Sequence, residues 1–157
     1  MKNYADSNLG NANLATKAIS LGFTTATTLQ RSQVIEAPNA VSLVAKCKQR
    51  SSPTFVNPLS APDFYNSAAL VEMCREREKI VEIPLVYLLR SPNKSKLIFQ
   101  LRIFLKNCLK RKVKFLFTSR ASNEFELKSP REIIAIGYVL GLTFQQAAAA
   151  LNKVQGE

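Results

Sequence analysis

The sequence predicts an α/β protein built on a parallel sheet, either open or closed into a barrel. Short segments rich in apolar and β-branched residues alternate along the chain with segments of helical length. Segment 80–89 is almost entirely apolar, which is typical of a strand covered on both faces in a parallel sheet. Six strands are predicted, at residues 4–9, 23–29, 34–37, 54–56, 80–89 and 113–118.

The first 50 residues supply three of these strands and two helices. One helix is predicted over residues 13–21, where Gly22 ends it, and a second over residues 40–50, with a basic tail. The link between residues 29 and 34 is too short for a helical crossover, which needs roughly a dozen residues. It therefore predicts either a hairpin or the loss of a βα unit.

One further helix is predicted to end at about Lys79, with oppositely charged pairs on its solvated face. Another is predicted over residues 93–112. Pro84 lies inside the predicted strand 80–89, although proline has no N–H to donate to a neighbouring strand. Its position therefore indicates an irregular or edge site.

Two capping boxes follow the last predicted strand. Ser129 is placed to cap a helix with Glu132 three residues later, and Thr143 and Gln146 repeat this spacing. Gly141 lies between the two boxes, where a left-handed C-terminal cap is expected. The pattern predicts two consecutive helices, the first with an apolar face.

The composition favours a protein that binds a polyanion. The 157-residue chain is interpreted as a single domain, residues 1–157, large enough to bury a core. It carries 22 lysines and arginines against 11 acidic residues, a net charge of +11; the alternatives are a generally basic proteome or simple solubility. Histidine is absent, which removes the commonest general base and most zinc sites. No catalytic residue, cofactor-binding site or metal site is predicted.

Cysteine usage and hydropathy favour a cytoplasmic protein. Cys47, Cys74 and Cys108 each lie in a predicted helix, without a C-x-x-C pair. Their odd number predicts reduced, partly buried thiols and no disulfide framework. No signal peptide is visible, and no apolar run is long enough to span a bilayer, so no membrane partner is expected.

The positive charge is concentrated between Arg90 and Arg120, a stretch with ten basic residues and no acidic one. Arg102, Lys106 and Lys110 follow one another at four-residue spacing and form one positive row on the predicted helix 93–112. Such a row repels itself unless a polyanion or an acidic surface neutralises it. An ordinary solvated face, or lysines that stabilise a helix C-terminus, are the alternatives.

Aromatic side chains for base stacking are not evident. Phe99, Phe104, Phe115 and Phe117 fall in segments expected to be core. No RNP-like motif, GxxG clamp or glycine-rich phosphate loop is present. The expected mode of binding is recognition of the shape and backbone of structured RNA.

The closing segment resembles a known family. KVKFLFTSRAS and, after a short spacer, LKSPREIIAIGYVLGLTFQQAAAALN are similar to the C-terminal signature of archaeal ribonuclease P protein component 3. The matching features are Thr118 and Ser119 at a strand end, the helix start 128–132, the glycine-spaced run 137–141 and the alanine run 147–150. YADSNL and AISLGF near the N-terminus are similar to the opening strand and helix of that family.

The resemblance implies a TIM-type (β/α) barrel, here reduced or incomplete because the chain is shorter than typical members. It also implies a protein subunit of ribonuclease P, which removes the 5′ leader from precursor tRNA. In that particle the RNA subunit holds the magnesium ions and performs the hydrolysis. The implied partners are ribonuclease P RNA, the component 2 subunit, the other protein subunits and, indirectly, precursor tRNA.

Residues at strand ends, in the adjoining loops and on the positive row are the predicted RNA contacts: Arg90, Lys94, Lys96, Arg102, Lys106, Arg120, Lys128 and Arg131. Arg90 only approximates an arginine that the family carries near a strand end. Arg131 has an alternative role, pairing with Glu132 or Glu124 to brace the loop.

Two other classes of function stay open at this point. One is a small hydrolase that uses the carboxylates Asp6, Glu36, Asp63 and Glu82. The other is a different basic protein that binds RNA or the ribosome.

Overall fold

The computed structural model describes residues 4–6, 9, 11–27 and 33–151. The described strands are β1 (Ala5–Asp6), β2 (Thr25–Ala26), β3 (Val34–Ile35), β4 (Phe55–Val56), β5 (Ile80–Pro84) and β6 (Phe115–Thr118). The described α-helices are α1 (Ala15–Ser20), α2 (Ala40–Lys48), α3 (Ala68–Glu76), α4 (Leu85–Arg90), α5 (Lys94–Arg111), α6 (Pro130–Val139) and α7 (Phe144–Ala149). The predicted α/β class and the approximate positions of the six strands are confirmed.

The described strands fall into two sheets. One pairs β1 with β2, and the other has the order β3-β4-β5-β6. The pairs β1–β2, β3–β4 and β4–β5 are parallel, with Phe55 opposite both Val34 and Ile80. A closed ring of strands is not formed within the described residues, as a reduced barrel predicts. Residues 28–32, which contain most of the short link predicted as a hairpin or a deletion, lie outside the described part.

One predicted strand was wrong in its second half. Segment 80–89 was expected to be a single strand, but β5 ends at Pro84 and the chain turns directly into α4. Pro84 cannot donate to a strand ladder, so it takes the last strand position, where the ladder ends in any case. The apolar run continues because Leu85, Val86 and Leu88 are buried as one side of a helix.

The chain divides into two compact units. Unit 1 comprises Met1–Leu29, Pro84–Ser91 and Leu116–Glu157, and unit 2 comprises Gln30–Ile83 and Pro92–Phe115. The interpretation of residues 1–157 as one domain stays a prediction.

Helices α2, α3 and α5 form the helical core of unit 2. Each contributes one cysteine, and the three free thiols of Cys47, Cys74 and Cys108 are fully buried rather than partly buried as expected. Burial raises the pKa of Cys108 to about 12, and a hydrogen bond with Cys47 together with burial raises the pKa of Cys74 further. Phe64 packs edge-to-face on Phe104, with ring centroids 5.2 Å apart.

Helices α6 and α7 pack against each other in unit 1, and both predicted capping boxes are present. The Glu132 carboxylate accepts from the Ser129 N–H at 2.7 Å, and the Thr143 N–H donates to Gln146 at 2.9 Å. Gly141 has the predicted left-handed conformation, with φ of +86°.

Gly137 allows the close approach of α6 and α7. A Cβ added at this glycine would lie 2.6 Å from the Cβ of Ala147. After α7, the carbonyls of Ala150 and Leu151 accept from Phe117 N–H at 2.8 Å and from Ala5 N–H at 2.7 Å. These bonds tie the end of the helical hairpin to β6 and β1.

Within the described part of the chain, none of the helices combines the length and apolar character needed to cross a membrane.

Candidate RNA-binding surfaces

The predicted RNA-binding residues of unit 1 lie around the loop that joins β6 to α6. We call Arg90, Arg120, Lys128 and Arg131 the loop surface. The loop starts at Ser119, whose buried N–H donates to Asp6 Oδ1 at 3.2 Å and whose carbonyl accepts from Val86 N–H at 3.3 Å. Arg120 follows with φ of +43°, in the left-handed region that few non-glycine residues adopt. The chain therefore turns sharply at Arg120, directly after a firmly held strand end.

Arg90, at the end of α4, holds the middle of this loop. Its Nε donates to Glu126 Oε1 at 2.6 Å and its Nη2 donates to Ser122 Oγ at 3.2 Å. Glu126 also accepts from the Ser122 N–H at 2.8 Å. The Arg90 guanidinium beside Glu126 lowers the pKa of that carboxyl, and the pair raises the pKa of Arg90. A guanidinium has five N–H donors, so donors remain for a phosphate.

Lys128 is likewise turned toward the loop. Its Nζ donates to the Phe125 carbonyl at 2.9 Å, and its side chain is half-buried. Together, Lys128 and Arg90 bind the loop at two points.

Arg131, on the first turn of α6, is exposed and makes no ion pair within the described residues. The carboxylate of Glu132 accepts from Ser129, which lowers the pKa of Glu132, and Glu124 lies 3.5 Å from Lys17. The alternative interpretation, in which Arg131 braces the loop through Glu132 or Glu124, is therefore wrong.

The predicted RNA-binding residues of unit 2 all lie on α5. The buried side of this helix consists of Leu101, Phe104, Leu105 and Cys108. Helical geometry places residues 96, 99, 102, 106 and 110 on the opposite side. We call Lys96, Phe99, Arg102, Lys106 and Lys110 the α5 face, and all five are exposed.

The ends of α5 are well defined. The Asn93 side chain caps its start by accepting from the Lys96 N–H at 3.0 Å, and Lys112 ends it in a left-handed conformation with φ of +57°. Lys94, on the first turn, is exposed.

The four cations of the α5 face make no ion pair with a carboxylate in the described part of the chain. Arg111, one position off this face, is different because it lies 3.1 Å from Glu72, which also binds Arg75. The α5 face is therefore a stretch of uncompensated positive charge.

One residue of the α5 face was placed wrongly from the sequence. Phe99 was expected in the core, yet it is 62% exposed, whereas Phe104 and Phe117 are buried and Phe115 is half-buried. Phe99 follows Leu97 by two residues and precedes Leu101 by two, so it falls off the apolar stripe of the helix. The helical periodicity of α5 is thus sufficient to place Phe99 on the exposed side of the helix.

Three of the four carboxylates of the hydrolase alternative accept hydrogen bonds from other residues of the chain. Asp6 accepts from Ser119 N–H, Glu36 accepts from Asn57 Nδ2 at 2.8 Å, and Asp63 accepts from the Ala40 N–H at 2.8 Å, at the start of α2. Glu82 is fully buried in β5. Among the residues that the structure describes, no group of three or more acidic or cysteine side chains is arranged to hold a metal ion.

The family model described as RNase P subunit p30 matches residues 55–157, which contain everything from β4 to α7 and both candidate surfaces. The chain belongs to this family. The predicted relationship to ribonuclease P is thereby confirmed, with a TIM-barrel-like fold as the family architecture. No curated protein matches the chain.

Membership of the p30 family makes the chain a protein subunit of ribonuclease P, the endoribonuclease holoenzyme of tRNA processing. It implies association with ribonuclease P RNA and with other subunits of the particle. Residues 1–54 lie outside the match, so the resemblance of YADSNL and AISLGF to the opening of the family stays a prediction.

Proposed function

We propose that this p30-family chain binds and stabilises the catalytic RNA of ribonuclease P together with the component 2 subunit. In this proposal the particle is archaeal and cytoplasmic and removes the 5′ leader of precursor tRNA, which the chain meets only indirectly. Hydrolysis is performed by the RNA and its magnesium ions. The chain itself supplies no active site and holds no cofactor.

The uncompensated charge of the α5 face is the observation that supports this proposal. Like charges at four-residue spacing cost a helix roughly 0.2–0.5 kcal/mol for each pair. Arg102 and Lys106 form one such pair, and Lys106 and Lys110 form another. Phosphate groups on the RNA relieve this repulsion and release condensed counterions, which gives strong, salt-sensitive affinity.

The loop surface adds a second set of contacts. Arg131, exposed on the first turn of α6, makes no ion pair within the described residues, and Arg120 itself has the left-handed conformation that turns the chain. Arg90 and Lys128 hold the loop in shape and use their remaining donors on phosphate. Lys96 is the first cation of the α5 face, and Lys94 is exposed on the same first turn of the helix.

The test is a salt titration of binding to ribonuclease P RNA. Replacing Arg102, Lys106 and Lys110 with glutamine should reduce the slope of log affinity against log salt by about 2 to 3, since each phosphate contact contributes roughly 0.7–0.9. A matched control replaces Lys48, Arg50 and Arg77, which removes the same charge from exposed positions elsewhere in unit 2. The control should retain the wild-type slope within about one unit. Equal slopes for the two triple variants would contradict the assignment of the α5 face.

Reconstitution tests the whole proposal. The protein alone should cleave nothing, but it should raise cleavage of precursor tRNA by ribonuclease P RNA at low magnesium when component 2 is present. Failure to bind that RNA or component 2 would refute the proposal. Capture of ribosomal RNA in its place would favour the alternative of another basic RNA-binding protein.

A further inference from the structure

We propose that Phe99 is a stacking platform for an unpaired RNA base, with Lys96, Arg102 and Lys106 holding the neighbouring phosphates. This inference rests on the proposed RNA binding and specifies its mode. Recognition of shape and backbone alone, as expected from the sequence, would leave an exposed phenylalanine at this position without a role.

The geometry of α5 supports a composite site. Phe99 is 62% exposed in a helix that buries Leu101, Phe104 and Leu105 on its other side. Lys96 lies three residues before Phe99 and Arg102 three residues after it, so both are neighbours on the helix surface. Lys106 lies seven residues on, about two turns along the same face. An aromatic ring flanked by cations is the arrangement with which proteins bind single-stranded nucleic acid.

The charge around Phe99 favours RNA over a protein as the occupant. The ring lies in a stretch, from Arg90 to Arg120, that contains ten basic residues and no acidic one. None of the flanking cations is paired with a carboxylate in the described residues. A ligand that covers Phe99 must therefore bring many negative charges together with a flat apolar surface. An unpaired nucleotide offers both.

Phe99 would accept any base. A phenyl ring has no hydrogen-bonding atom, so it contributes stacking energy and no readout of the base edge. The nucleotide must be unpaired, because bases inside an A-form helix are already stacked on their neighbours. The site is therefore assigned to a single-stranded loop, bulge or end of the RNA.

Phe125 is a second exposed phenylalanine, and the charge around it differs from that around Phe99. It is 90% exposed, more than Phe99, but Glu124 and Glu126 flank it. Both carboxylates are paired with nearby cations, Glu124 with Lys17 and Glu126 with Arg90, so Phe125 lacks the uncompensated positive charge that surrounds Phe99. Exposure alone therefore does not make Phe125 a stacking site. It is the matched control for every Phe99 variant.

The first experiment measures affinity for three probes: a 12-nucleotide oligouridylate, an RNA duplex of equal length and inorganic polyphosphate. Phe99→Ala should weaken oligouridylate binding by about 5- to 150-fold, the range of a single base–aromatic stack. Binding to the duplex and to polyphosphate should change by less than about twofold, because the cations that hold phosphates remain. Phe99→Tyr should bind all three like the wild type, and so should Phe125→Ala.

The second experiment uses fluorescence. The chain contains no tryptophan, so Phe99→Trp introduces a single reporter that preserves stacking. Oligouridylate should quench this tryptophan in step with binding, and polyphosphate should bind without quenching it.

Several results would overturn the inference. Wild-type affinity of Phe99→Ala for oligouridylate would do so, as would full rescue by Phe99→Leu, which preserves apolar area without an aromatic face. Loss of component 2 binding by Phe99→Ala, with RNA binding intact, would make Phe99 a protein contact instead. In these three cases salt-dependent binding of ribonuclease P RNA by the wild type would leave the proposed function standing. A wild-type protein that binds no RNA at all would refute the proposed function and the inference together.

Discussion

The loop surface of unit 1 and the α5 face of unit 2 use the same residue types in opposite ways. Around the loop, Arg90 and Lys128 donate hydrogen bonds to groups of their own chain, and Glu126 accepts from both Arg90 and the Ser122 N–H. On the α5 face, four cations point outward from a helix with no carboxylate paired to them in the described part of the chain. Arg90 and Lys128 therefore shape the protein, whereas the cations of the α5 face are available to a partner. Sequence position alone does not distinguish the two roles.

The contact between α6 and α7 in unit 1 should be sensitive to an added side chain. Gly137→Val places side-chain atoms where Ala147 already lies, because even a Cβ would be 2.6 Å from the Ala147 Cβ. Overpacking of this kind should lower the free energy of unfolding by about 2–3 kcal/mol, measured by urea denaturation. Ala135→Val in the same helix is the control, because Ala135 is exposed. It should cost only about 0.5 kcal/mol, the difference in helix propensity. Equal losses would show that the close approach of α6 and α7 is not tight.

The Glu126 network should make unit 1 sensitive to pH. Glu126→Gln removes the negative charge that Arg90 binds and leaves one acceptor oxygen where the carboxylate has two, and it should cost about 1–2 kcal/mol at pH 7. The pKa of Glu126 is lowered in the folded protein, so its stabilisation is fully present above the ordinary glutamate pKa of about 4.3 and is lost as the pH falls through the lower folded value. The difference between wild type and variant should therefore be smaller at pH 3 than at pH 7.

Glu124→Gln is the matched control for Glu126→Gln. Glu124 lies 3.5 Å from Lys17 and is 64% exposed, so its removal should change stability by no more than about 0.5 kcal/mol at either pH. A loss that persists undiminished at pH 3 would show that Glu126 acts through packing and not through its charge.

On the α5 face, charge reversal should stabilise the fold while weakening RNA binding. Lys106→Glu exchanges two repulsive four-residue pairs, with Arg102 and Lys110, for two attractive ones, and should raise the free energy of unfolding by about 1 kcal/mol. Lys106→Gln, which only removes the repulsion, should gain about half as much. Both variants should bind ribonuclease P RNA less tightly than the wild type, with Lys106→Glu the weaker binder. A destabilised Lys106→Glu would indicate that Lys106 has a partner in the free protein.

The smallest expected effect concerns Arg131, the loop-surface residue that resembles the α5 face in having no ion pair within the described residues. Arg131→Ala should leave stability within about 0.5 kcal/mol of the wild type, as is usual for exposed positions. It should reduce the salt slope of RNA binding by about one unit, the contribution of one phosphate contact. An unchanged slope in the folded variant would remove Arg131 from the RNA-binding residues.

The sequence predicted best what depends on neighbouring residues. The capping boxes at Ser129 and Thr143 and the left-handed Gly141 require only short-range spacing, and all three are present. Segment 80–89 was misassigned because a short apolar run has no period that separates a buried strand from a buried helix. Pro84 was the one local signal of the boundary.

Partnerships between distant residues were beyond prediction. Arg90 is 36 positions from Glu126, and nothing in the spacing indicates that they meet. The exposure of Phe99 was within reach, because the helical stripe excludes position 99, but an aromatic residue in an apolar helix is more often core. The sequence identified the candidate RNA contacts as basic residues. Only the fold shows that Arg90 and Lys128 bind groups of their own chain, whereas, within the described residues, the cations of the α5 face do not.

The three buried thiols of unit 2 can report how often its helical core opens. A thiolate, and not a thiol, reacts with alkylating reagents, and burial raises the pKa of Cys108 to about 12. Cys47, Cys74 and Cys108 are also shielded from solvent in helices α2, α3 and α5. Iodoacetamide should therefore modify them only during transient openings of this helical core, so the rate of labelling reports how often the core opens. Slower labelling in the presence of ribonuclease P RNA would measure the rigidity that the RNA imparts to the subunit.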